Sequence, residues 1–477
     1  MNNGEFPGYE FEVPRAPRRG PRPVVGHDSL RQLHYEPQHT QPAPRTPVRT
    51  AGKGVFAVMR GRNWLMGLAA PVMAAIVVGI AVVVVAGGSG GNGAAPSALA
   101  AGFPPARLAG ADFTGTSPQA RVVLDAVAAS AATEVAAGSA DGGPAVWASA
   151  DGGTKWNRAA LAGPASLTEA GTGQLTGIAH GAAGWLAVGT TRAGAGGPLV
   201  ASSPDARTWT MAGHIAGVSA AGVVAAATAA GRAGYVIVGH RSASAGGGAT
   251  TAVAWSAPGL AGWTQADVAG AGGAMMNAVT ATPHGFAAVG AAGSQPAAWL
   301  SAAGRNWRQV TLPQPAGADR AALEYVAANG VGIVAVGTEF TASGVRRPFA
   351  EASANGGASW AVVQLPVPAI GPGTGTTVTA LTAAGGGFTA AGTYVTGSGP
   401  EVVVWTLSPG TPVTAAAGWS TVTPQGIGLA GTGAQNALTA LTAQGATLTG
   451  VGFTVGVGPS GTPGGQQATL WQSPIRY

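Results

Sequence analysis

The sequence predicts an all-β protein whose main body is a seven-bladed β-propeller, set behind a disordered N-terminal tail and a single transmembrane helix. Three observations predict it. A unit of short apolar strands and turn residues recurs seven times after residue 104, at intervals of about 50 residues. A run of 23 residues before it carries no charge. Charged residues make up only 9% of the 477, against about 25% in an ordinary soluble domain. That composition excludes coiled coils and acidic tails. The absence of cysteine excludes disulfide frameworks, thiol catalysis and Cys-ligated metals.

Residues 1–63 hold ten of the 24 Lys/Arg and five of the 18 Asp/Glu, a local net charge of +5. The two Pro/Arg-rich stretches, VPRAPRRGPRP (13–23) and QPAPRTPVR (41–49), cannot bury a core and predict an extended cytoplasmic tail. Such a tail suits a cytoplasmic partner or anionic headgroups, and equally a solvated segment that only sets topology. The remaining chain is nearly neutral and has no basic stripe, so nucleic acid is not expected as a partner. Only Lys53 and Lys155 are lysines, a pattern of GC-rich coding bias.

Residues 64–86, from Trp64 to Ala86, are the uncharged run. As a helix it would be about 34 Å long, enough for a hydrocarbon core of about 30 Å. Arg49, Lys53, Arg60 and Arg62 precede it, and no basic residue follows until Arg107. The positive-inside rule therefore predicts a cytoplasmic N-terminus and an extracellular C-terminal domain. A cleaved signal peptide would need a shorter apolar core than this one, so an uncleaved signal anchor is expected. Residues 87–104 read as a Gly/Ala/Pro linker.

Residues 105–477 carry the repeats. Second strands end on a glycine in each: EVAAG (134–138), WLAVG (185–189), YVIVG (235–239), FAAVG (286–290), IVAVG (333–337), FTAAG (388–392) and TLTGVG (447–452). Each follows a short apolar run such as VVLDAVA (122–128), and each precedes a third strand such as AVWAS (145–149). No unit keeps a 3.6-residue apolar period, which excludes helical repeats and leaves propeller blades. Residues 105–113 are expected to supply the fourth strand of the seventh blade and so close the ring.

The turn after the third strand carries the most specific pattern. In the first blade it is Ser149, Asp151, Gly153 and Trp156. Altered copies follow at Ser203, Asp205 and Trp209, at Trp263, at Trp307, and at Ser353, Asn355, Gly357 and Trp360. This series resembles the Asp-box of sialidase-like (BNR-repeat) propellers, S-x-D-x-G-x-x-W, over about residues 104–477. The resemblance implies that fold, with the boxes on the face opposite the active site. It does not imply the activity, because the family's arginine motif, its tyrosine nucleophile and its partner glutamate have no matching positions. The box residues are read as structural: Asp closes its own turn and Trp plugs the space between blades.

Catalytic residues are therefore expected to be absent, and with them any metal or cofactor. His180, His214, His240 and His284 fall in different blades without metal-ligand spacing. One set of charges shares the face that carries the blade-to-blade linkers: Arg192, His240, Arg241, Arg346 and Arg347, with Glu169, Asp319 and Glu324. It would make a weakly basic rim at the channel mouth, or simply supply the solvation that loops need. The reading is a non-catalytic binding or scaffold module at the cell envelope, for an extracellular protein or glycan. The alternative is a carbohydrate-active hydrolase of sialidase-like fold with an unrecognised site.

Overall fold

The computed structural model describes residues 113–114, 121–169, 171–191, 197–212, 215, 222–242, 249–368, 375–396, 399–422, 435–457 and 463–475. The expected tail, membrane span and linker lie outside these. Among the described residues no helix is long and apolar enough to cross a membrane.

Seven antiparallel sheets follow one another along the chain. Each begins with a strand that lies at the channel and is then paired outward in sequence order. The inner strands are Val122–Ser130, Gly173–Gly181, Val223–Gly231, Ala274–Thr282, Ala318–Asn329, Thr376–Ala384 and Gln435–Gln444. Neighbouring sheets bury their faces against each other in seven apolar clusters, one per seam. One of these joins Leu124 and Trp147 of the first blade to Val451 and Leu470 of the seventh, so the ring is closed. Blades cannot bury both faces alone, which is why the core is divided among the seams.

The recurrent glycine has a specific cause. Every inner strand shifts register at the same place, leaving one residue out of the ladder: Asp125, Thr176, Ala226, Asn277, Glu324, Thr379 and Thr439. The bulge pushes a carbonyl toward the second strand. A Cβ on Gly138, Gly189, Gly239, Gly290, Gly337, Gly392 or Gly452 would run into the oxygen of Val123, Gln174, Val224, Met275, Ala322, Thr377 or Ala437 respectively. Only glycine fits opposite a bulge of this kind.

The expected closure is corrected. Phe113–Thr114 does not join the seventh sheet; it runs parallel to Trp156–Arg158 at the outer edge of the first. Ala160–Ala162 and Asp267–Val268 do the same against the outer strands of the second and fourth blades. The chain thus enters the first blade as an inter-blade linker enters its own, covering an exposed sheet edge. The seventh sheet has three strands among the described residues. Residues 105–112 lie outside them.

Candidate functional site

The turns after the third strands are self-contained. Asp151 Oδ1 accepts from the amides of Thr154 and Lys155 and from Ser149 Oγ, while Ser149 Oγ accepts from the Gly153 amide. Asp205 Oδ1 accepts from Arg207 and Thr208 amides and from Ser203 Oγ. Asn355 Oδ1 accepts from the Ser359 amide and Ser353 Oγ, and Ser353 Oγ accepts from the Gly357 amide. These bonds hold the Asp151 and Asp205 carboxyls below the usual range, the Lys155 and Arg207 amides contributing most respectively. Trp156, Trp209, Trp307 and Trp360 each donate Nε1 to the carbonyl three residues earlier. Trp156, Trp209 and Trp307 are buried; Trp263 and Trp360 are half-buried. Every polar atom named here bonds within its own turn.

The linker face brings together fewer of the candidate residues than expected. Arg192 lies outside the described residues. His240 is 5% exposed and belongs to the second strand of its blade, and burial lowers its pKa. Arg241 is exposed at the end of that strand, and Glu169 is exposed at the end of a four-residue helix between blades one and two. Arg346 is exposed, whereas Arg347 places Nε 2.8 Å from the fully buried Glu339 carboxylate. Arg320 lies 4.2 Å over the Phe340 ring. Charges therefore concentrate on the fifth blade.

Asp319 and Glu324 are five positions apart on one inner strand, Ala318–Asn329. Two register shifts shorten the strand between them, so at about 3.3 Å per residue they are separated by roughly 13 Å. Asp319 is exposed at the rim and Glu324 sits at the bulge level inside the channel. The bulge sets Glu324 outside the ladder and breaks the usual strand alternation between Glu324 and Tyr325.

The bulge level forms a ring to which each blade contributes one residue, polar in every blade but the third, which has Ala226. Three of its side chains donate to the next blade: Thr176 Oγ1 to Ala226 O at 3.3 Å, Asn277 Nδ2 to Leu323 O at 2.9 Å, and Thr439 Oγ1 to Leu124 O at 2.5 Å. Asp125 and Glu324 are carboxyls in the same ring. Glu324 accepts from Thr338 Oγ1 at 3.4 Å. Asp125 keeps part of its surface on the channel, but its Oδ2 is enclosed without a hydrogen-bond partner. Desolvation pushes each of the two carboxyls up to about 7, against a small lowering of Glu324 by Thr338 and Arg346. Asp125 borders the channel, and water there reduces the displacement.

The position after the bulge is Ala126, Gly177, Ala227, Ala278, Ala380 or Ala440 in six blades and Tyr325 in the fifth. Burial raises the Tyr325 phenol above its ordinary value, and the Glu324 and Asp125 charges add to the effect. Asp125 was not legible as a site residue in the sequence, because LDAVA reads as an ordinary apolar strand. The signal that could have found it is the recurrent glycine, which marks the bulge level in every blade.

No family model matches the chain, and no curated protein matches it. Among solved structures it is similar to a mutant of Trypanosoma rangeli sialidase with trans-sialidase activity, at 10% identity and a TM-score of 0.37, covering 78% of this chain and 58% of that one. It is also similar to a Hadza microbial sialidase, at 10% identity and a TM-score of 0.39, covering 75% and 66%. A thermostable family-43 glycoside hydrolase is similar at 10% identity and a TM-score of 0.33, covering 76% and 92%. The chain spans 58% of the trypanosomal sialidase's length.

Proposed function

We propose that the propeller is a non-catalytic binding or scaffold module that meets its ligand on the linker face, where Arg241 and Arg346 are exposed. The observation that supports this reading is the spacing of the rim acids. Glycoside hydrolysis needs two carboxyls about 5–10 Å apart, or a tyrosine nucleophile with its base. Asp319 and Glu324 are roughly 13 Å apart along their strand, and Glu169 belongs to another linker. Tyr325, displaced toward its neutral form, is a poor nucleophile. The test is an assay of the purified protein against sialosides and aryl-glycosides, together with binding of acidic glycans. No turnover is expected, and any glycan binding should weaken with salt and with Arg241→Ala plus Arg346→Ala.

One observation favours a second reading, that of a hydrolase: Asp125 and Glu324 occupy one channel and both act on Tyr325. Turnover abolished by Asp125→Asn or Glu324→Gln would establish it in place of the first.

We further propose that residues 64–86 anchor the chain with the propeller outside the cell. The support is the uncharged run with Arg60 and Arg62 before it. Protease added to intact cells should release a fragment that starts within 87–105. Protection of a C-terminal tag under those conditions would invert the topology.

A further inference from the structure

The two ends of the propeller differ in charge. Consecutive strands of a blade are antiparallel, so the turns from first to second strand and from third to fourth strand share one end, opposite the linkers. Lys155, Arg207 and Arg305 stand in the turns after three of the third strands, and Arg232 stands in the hairpin turn Gly231–Gly234. All four are exposed. Among the described residues the acids of these turns are Asp151 and Asp205, each accepting from the amides and the serine of its own turn. Arg158 and Arg308 extend the set onto the outer strands, where Asp267 is the one acid among the described residues. Six cations therefore meet three acids. At the linker end five arginines meet five acids among the described residues, the Arg347–Glu339 pair included.

A second observation concerns where the chain enters. Phe113–Thr114 runs parallel to Trp156–Arg158, with Phe113 opposite Trp156. Trp156 is the first strand residue after its turn. The chain thus joins the propeller beside the basic turns and runs from them toward the linkers. The same end carries apolar side chains. The third blade's turn has no acid and presents Leu260 and Trp263, both half-buried, and Val331 is 46% exposed in the hairpin turn of the fifth. Arginines with an indole at one level suit the headgroup layer of a bilayer.

We propose that the end opposite the linkers docks on an anionic lipid surface, with Lys155, Arg207, Arg232 and Arg305 against the headgroups. In the anchored protein this surface is its own membrane, and the linker face with Arg241 and Arg346 is turned to the medium. That orientation rests on the reading of residues 64–86 as an anchor; the charge of the face does not. Each cation near such a surface adds attraction, and a tether that joins at this end turns weak contacts into intramolecular ones.

Hydrogen exchange of the full chain, reconstituted in phosphatidylcholine vesicles with and without phosphatidylglycerol, tests the face. In the anionic vesicles exchange within 150–156, 204–208, 231–234 and 302–307 should slow by about fivefold, the equivalent of one surface cation. High salt should reverse this, and so should the joint change of Lys155, Arg207, Arg232 and Arg305 to Ala. The linker-face turn 342–345 should exchange alike in both. These four side chains are exposed in turns, so the variant should fold; melts check it, and the salt reversal is read on the parent chain. Equal exchange in the two vesicles, slowing at the linker face instead, or slowing that survives salt or the folded variant overturns the proposal. The anchor is read separately. A chain that carbonate strips from neutral vesicles has no anchor, and the face then stands if phosphatidylglycerol vesicles capture it salt-sensitively and falls if they do not.

Discussion

At the scale of single residues, the buried carboxyls decide how stability depends on pH. Asp125 and Glu324 are raised to about 7, Glu351 to about 8, and Glu134 is raised as well, in every case chiefly by desolvation. A carboxyl whose folded pKa is raised binds its proton more tightly in the native state. Its stabilisation is complete below the unfolded pKa near 4 and is lost as pH rises through the folded value. The propeller should therefore melt at progressively lower temperature from about pH 5 to pH 8. Asp151 and Asp205 act the other way, since their lowered pKa values withdraw stability only as pH falls below the usual carboxylate range. Asp125→Asn isolates one of the raised groups. Asn277 shows what an amide does in that ring, donating to the next blade's carbonyl. The variant should be more stable than the parent above pH 7, by at most about 4 kcal/mol for a shift of three units, and should lose part of the pH slope. Channel water reduces that ceiling. Parallel melts of both proteins at pH 5 and pH 8 check it; an unchanged slope would mean that Asp125 is solvated through the channel.

At the scale of the blade, two repeated devices can be tested separately. Gly290→Ala places a methyl against the Met275 carbonyl, and relief requires either flattening the bulge or displacing the second strand. A loss of roughly 2–4 kcal/mol is expected, and the same change at Gly293, an open turn glycine, should cost less. The tryptophans act through burial. Trp156→Ala removes a fully enclosed side chain and should cost about 3–5 kcal/mol, while Trp360→Ala, half-buried, should cost less. Urea melts rank the four variants. How much of this was legible in the sequence follows from what repeats. The blade count and the second strands were readable, because apolar runs and their terminal glycines recur at near-constant spacing. The cause of the glycines was not, because a bulge is a relation between two strands and leaves no local mark. Asp125 and Thr379 stayed hidden for the same reason. They acquire meaning only when seven bulges bring them to one level. The rim was harder to read: Arg347 is committed to Glu339, a buried acid that no motif announces.

At the scale of the whole ring, the seam between the seventh and first blades differs from the other six. The second strands of blades two to seven begin on apolar side chains at the equivalent position: Trp185, Tyr235, Phe286, Ile333, Phe388 and Leu448. The first blade has Glu134 there, buried, accepting from Thr449 Oγ1 of the seventh blade at 3.0 Å. Gln472 donates to Gly152 O at 2.6 Å and to Thr449 Oγ1 at 3.3 Å, and Thr439 crosses to Leu124. Phe113–Thr114 pairs within the first blade, so among the described residues no strand is shared across this seam. Blades seven and one are not consecutive in the chain, so an apolar cluster and side-chain hydrogen bonds hold the ring shut here without an inter-blade linker. A net hydrogen bond contributes about 1 kcal/mol, and a buried partner left alone costs about 1–3 kcal/mol more. This seam should therefore open before the others, in a sub-global step that releases the seventh blade. Gln472→Ala should lower global stability by about 1–2 kcal/mol and speed hydrogen exchange selectively in Thr447–Val457 and Pro463–Pro474, leaving the third blade's Gly234–Arg241 unchanged. Exchange that accelerates equally in all seven blades would show instead that the ring unfolds as one unit, with no weak seam.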